Sequence, residues 1–91
     1  MIRKYVKKPI PVEAVLLTDS NVSFVIDWIR QHGWECYYDE RLNKLYIQTL
    51  EGFMTAIPDA YYVVKGVNNE FYPVYKSIFN KTYEEINNGR D

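Results

Sequence analysis

The chain has 91 residues, 47% of them hydrophobic and 25% charged, with a formal net charge of −1. That length holds a single domain with a thin core, and the composition excludes a disordered chain. The near-neutral balance supplies no field for attracting phosphate backbones, which argues against general nucleic-acid binding, and the lone Cys36 rules out an intrachain disulfide and fits a reducing cytosol.

Nine Tyr, four Phe and two Trp carry more ring surface than so small a core readily hides, so some rings are expected at the surface. Arg3, Lys4, Lys7 and Lys8 place four cations within the first eight residues. They read either as an anion-binding arm or as a solvated, solubilising lead-in to the first strand. Pro9 and Pro11 come directly after these cations, and no long apolar run occurs. Neither a signal peptide nor a membrane span is expected, and the protein is read as cytoplasmic.

Pro11 to Leu17 is a short apolar run entered through prolines and predicts the first strand. Asp19, Ser20 and Asn21 are candidate helix N-caps. After them Val22, Val25, Ile26 and Ile29 recur at the i, i+3, i+4, i+7 spacing of one helical face, and Gly33 supplies a stop, so a helix is predicted over 21–32. Phe24 and Trp28, four residues apart, are read as widening that face, which is expected to pack on a sheet.

Trp34 to Tyr38 and Leu45 to Thr49 predict two strands joined by the polar turn Asp39 to Lys44. Glu51-Gly52 predicts a tight turn into a strand over Phe53 to Ile57, closed by Pro58 and Asp59. Tyr61 to Lys65 and Glu70 to Val74 predict a third hairpin, with a glycine bulge and turn over Gly66 to Asn69. A short C-terminal helix is predicted from Lys76 or Ser77, with Ile78, Phe79 and Tyr83 as its apolar contact face, and residues 87–91 are expected to fray. The expected fold is α+β: one domain, with one main helix on a curved, mostly antiparallel sheet of about six short strands, its closure into a small barrel left open.

No catalytic constellation is legible. His32 and Cys36 could in principle form a dyad, but the ring is better read as favouring the negative end of the helix and the thiol as packing. One His and one Cys fall short of a zinc site. The acidic pairs Asp39-Glu40 and Glu84-Glu85 lack the spacing of a calcium loop and read as solvated charge. The scattered glycines form no phosphate-cradling loop, so no metal, cofactor or enzymatic activity is expected.

The segment from Pro58 to Tyr75 is the one constellation of interest. Its rings Tyr61, Tyr62, Phe71, Tyr72 and Tyr75, with Asp59, Lys65 and Glu70 among them, read either as ordinary cross-strand aromatic pairs or as a stacking platform on which rings and a lysine would hold a planar anion. Period-2 alternation sends Tyr62 and Val64 to one face and Tyr61, Val63 and Lys65 to the other.

Nearly the whole chain resembles a family of short phage and prophage proteins known by a Pro-Gly-Asp-Tyr-Gly-type motif. The resemblance is carried by the opening IRKYVKKPIPVEAV, by LYIQTLEG, by YVVKG, and by EFYPV with SIFNKTYEE after it. The chain departs from the family at the naming motif, where PDAYYVVKG places Ala60 and Tyr61 at the glycine and aspartate positions. The resemblance implies a phage accessory protein acting in the cytoplasm of the host bacterium, and it brings no catalytic residues to carry over.

Two functions are weighed. The first is sequestration of a small nucleotide-derived defence signal by Lys65, Tyr61, Tyr62, Glu70 and Tyr72 together with Arg3 and Lys4. A stacked base contributes only about 1–3 kcal/mol, so tight capture is expected to need a homo-oligomer in which two copies of the aromatic surface meet. The alternative is a protein-interaction module that inhibits or recruits a host protein through exposed aromatics. A ligand site should hold inward-facing Lys or Arg beside the rings, whereas a protein-binding patch should carry its charges at the rim.

Overall fold

A computed structural model describes residues 1–86, so residues 87–91, expected to fray, lie outside the described part. Eight elements run in chain order: β1 (Glu13–Leu16), α1 (Val22–Gln31), β2 (Cys36–Asp39), β3 (Lys44–Thr49), β4 (Gly52–Ala56), β5 (Tyr61–Lys65), β6 (Phe71–Tyr75) and α2 (Lys76–Thr82). The strands form two three-stranded antiparallel sheets, ordered β1-β5-β6 and β2-β3-β4, and do not close into a barrel. All three expected hairpins are present. The first strand is shorter than expected: Pro11 and Val12 precede the ladder, whose first pair is Glu13 with Lys65.

The core draws on every layer. α1 contributes Val22, Val25 and Ile29; the first sheet contributes Val63 and Phe71; the second contributes Cys36, Leu45, Ile47 and Ala56. Alternation along β3 is clean, with Leu45, Ile47 and Thr49 inward and Lys44, Tyr46 and Gln48 outward, as a half-buried strand requires. The inward Thr49 hydroxyl donates to the Gly52 carbonyl at 2.6 Å and accepts from the Glu51 N–H at 3.0 Å, which satisfies it and ties the turn. Gly52, at φ +97°, takes the left-handed conformation expected of it.

Three expectations are corrected. Phe24 does not widen the packed face of α1: it is 63% exposed, and Trp28 packs alone, its ring edge-on to Phe71 at 5.1 Å. Asn21 occupies the N-cap position of α1 but does not cap it. Its amide donates to the Leu16 carbonyl at 2.9 Å and its oxygen accepts from the Thr18 N–H at 2.8 Å, which pins the β1–α1 turn instead. In the β5–β6 turn the left-handed residue is Asn69, at φ +61°, and not Gly66. Gly66 serves close approach: a Cβ there would fall inside contact distance of the Glu70 carboxylate.

Candidate functional site

The expected constellation divides across the first sheet. Tyr61 and Lys65 lie on the side facing α1, with Tyr61 edge-on to Tyr75 at 5.4 Å and packed against the core. Lys65 stands at the far end of that side, where its ammonium donates to Asn69 Oδ1 at 3.1 Å and pairs with Glu13 at 3.6 Å. Its side chain is only 17% exposed. The Glu70 carboxylate accepts the Asn68 N–H at 2.9 Å. Lys65 and Glu70 thus hold the β5–β6 turn and the β1 edge together. Arg3 and Lys4 are exposed on the segment preceding β1.

Tyr62 and Tyr72 lie on the opposite side of the sheet, and here α2 and the residue that follows it add rings that spacing alone assigns only to helix packing. Phe79 stacks on Tyr62 at 3.9 Å with 15° between the planes, and Tyr83 stacks on Phe79 at 4.7 Å and 22°. The hydroxyls of Tyr72 and Tyr83 approach to 3.5 Å, which links β6 to the end of the stack. Burial raises the Tyr72 phenol above its ordinary value, and the hydrogen bond to Tyr83, that neighbour's charge and Glu70 act in the same direction. The helix is placed by local bonds: the Lys76 N–H donates to the Ala60 carbonyl at 2.8 Å, so α2 starts where β6 ends and folds back over the sheet.

A groove of about 890 Å³ runs beside this stack. It is lined by Pro9 to Ala14, in the lead-in and start of β1, by Tyr62, Phe79 and Tyr83 of the stack, and by Glu84, Glu85 and Ile86. Its described lining carries three carboxylates, those of Glu13, Glu84 and Glu85, and neither a lysine nor an arginine. A smaller hollow of about 440 Å³ adjoins it across Ile10 to Glu13 and contains Lys65, Gly66 and Val67. Lys65 lines the neighbouring hollow and not the groove, and is engaged by Glu13.

A second aromatic surface covers the outer side of β2-β3-β4. Tyr37 and Tyr46, cross-strand partners, stack at 4.8 Å, and Phe53 stands nearby at 58% exposure.

His32 and Cys36 are held by separate contacts. The His32 ring bonds through Nδ1 to the Trp28 carbonyl at 3.0 Å and lies edge-on to Phe71, whereas the Cys36 thiol is buried against the Ile26 carbonyl at 4.0 Å. Burial raises the thiol above its ordinary value despite the opposing effect of Arg30, which lowers its nucleophilic fraction. Among the described residues no helix is long and apolar enough to cross a membrane. Comparison with protein-family models, with curated proteins and with solved structures returns no match, so the resemblance to the phage family rests on the sequence segments quoted above.

Proposed function

We propose that the protein is a non-enzymatic interaction module whose groove beside α2 receives an extended protein segment bearing apolar and basic side chains. The observation that carries this reading is the stack of Tyr62, Phe79 and Tyr83 flanked by Glu13, Glu84 and Glu85, an aromatic floor with an acidic rim. Rings supply contact area at low entropic cost, and peripheral charges select the partner's sign. In the phage setting that the sequence resembles, such a module acts in the bacterial cytoplasm through the segment that fills this groove.

The groove serves a nucleotide-derived signal less well. Rings of this kind stack on bases, but an anionic ligand here would meet three carboxylates and no lysine or arginine among the described lining residues. The test sets two probe panels against the intact protein: nucleotides, and short extended peptides containing Lys or Arg among aromatic and aliphatic residues. Basic-apolar peptides should raise the melting temperature in a salt-sensitive way, and Glu84→Gln/Glu85→Gln should weaken their binding severalfold. A nucleotide that stabilises the protein while the peptides do not would overturn the proposal in favour of sequestration.

A further inference from the structure

The chain carries a segment of the kind this groove would take. Residues 1–8 read MIRKYVKK, and their apolar side chains stand exposed among the described residues: Ile2 is 101%, Tyr5 85% and Val6 92% exposed. Four of the chain's eleven cations and none of its twelve acids lie before residue 13. The arm is thus +4, while the remainder holds seven cations against twelve acids, a net of −5. The chain is near-neutral only as the sum of two opposed parts.

We infer that the occupant of the groove is the arm of a second copy, exchanged reciprocally in a two-fold dimer; this rests on the interaction-module reading above and names its partner. Charge complementarity is the first argument: Arg3, Lys4, Lys7 and Lys8 meet a rim of Glu13, Glu84 and Glu85. Backbone geometry is the second. The Ile10 N–H donates to the Lys8 carbonyl at 2.8 Å, a three-residue turn centred on Pro9, and Pro11 fixes the next proline φ. Pro9, Ile10 and Pro11 themselves line the groove, so an arm entering its own groove would have to fold back on them and give up the turn. A second copy imposes no such reversal. Eight residues, extended at about 3.3 Å each, span roughly 26 Å, enough to cross the ring stack of a partner. Reciprocal exchange buries both arms at one self-complementary interface, as two-fold symmetry requires.

The test is the mass of the intact protein in solution by light scattering, at low and high salt, beside two charge-reversal variants whose folding is checked by circular dichroism. The wild type should weigh twice 10.9 kDa at low salt and shift toward 10.9 kDa as salt screens the contact. Lys4→Glu/Lys7→Glu should be monomeric, and adding Glu84→Lys/Glu85→Lys to the same chain should restore the dimer. A wild type that stays monomeric at its highest soluble concentration, or a dimer indifferent to the arm reversal, overturns the exchange. A monomer that still binds basic-apolar peptides would sink the exchange and leave the groove's proposed function standing; a monomer that binds none would remove both.

Discussion

The fold opposes the ionisation of Tyr72 and Cys36, in both cases chiefly because burial disfavours the charged form. In the unfolded chain the thiol loses its proton around 9.0 and the phenol around 10.0; in the folded protein both hold it to higher pH. Above about pH 9 the unfolded state therefore binds fewer protons than the native state, and stability falls as pH rises through the folded values; below that, the full contribution is present. Urea midpoints at about pH 8 and about pH 10.5 should show this loss, and Tyr72→Phe should reduce it while changing the lower-pH midpoint little, since the phenol oxygen's contact with Tyr83 is long at 3.5 Å. An undiminished alkaline loss in Tyr72→Phe would show that this phenol is not its source. Two local departures from the expected structure also arise at this scale. A side chain before a helix looks like a cap whether it bonds forward or, like Asn21, backward to Leu16 and Thr18, and composition does not distinguish the two. Gly66 and Asn69 both suit a turn, and which one takes positive φ depends on Glu70 folding back over Gly66, a contact no periodicity encodes.

At the scale of elements, the apolar spacings make α1 and the hairpins legible in the sequence: the helix expected over 21–32 is Val22–Gln31, and β5 runs over the expected Tyr61–Lys65. Patterning gives the face of an element, but not how wide that face is when it meets its neighbour. Phe24 shows the limit: its spacing with Trp28 is helical, yet only Trp28 reaches Phe71. The site is half legible for a similar reason. Alternation correctly separates Tyr62 from Tyr61 and Lys65, but the rings that complete the stack come from α2, and their joining depends on how that helix folds back over the sheet. The spacing of Phe79 and Tyr83, beside the acidic pair Glu84-Glu85, is the one signal of it in the sequence. α2 has seven residues and no fully buried side chain, too short to persist alone, so its order should depend on docking through Phe79. Phe79→Ala should remove both stacked pairs, each worth about 0.5–1.5 kcal/mol beyond area, and destabilise by about 2–3 kcal/mol in urea, with amide protection lost selectively over α2. Protection retained there would mean that the backbone bond from Lys76 to Ala60, not the ring stack, holds the helix.

For the whole molecule, the division of six strands into two sheets raises the question of whether each sheet unfolds independently. The core argues against it. Leu45, Ile47 and Ala56 from one sheet and Val63 and Phe71 from the other belong to the same buried cluster, and α1 contributes Val25 and Ile29 to it. Two further ties cross between elements: the Trp34 indole donates to the Asn69 carbonyl at 2.7 Å, joining the lead-in to β2 with the β5–β6 turn, and Arg30 donates to the Cys36 carbonyl at 2.8 Å, joining α1 to β2. Most of the fully buried side chains of both sheets belong to that one shared cluster, so unfolding should be a single transition. Trp fluorescence, dominated by residues at α1 and the β2 lead-in, and far-ultraviolet circular dichroism, which sums the whole backbone, should then give coincident urea curves. Ile47→Ala in the second sheet should lower stability by about 2–5 kcal/mol, and Val63→Ala in the first by a smaller amount, each moving both probes together. Separated transitions, or an Ile47→Ala effect confined to one probe, would mean that the two sheets are distinct folding units and that the shared cluster is less cohesive than its burial implies.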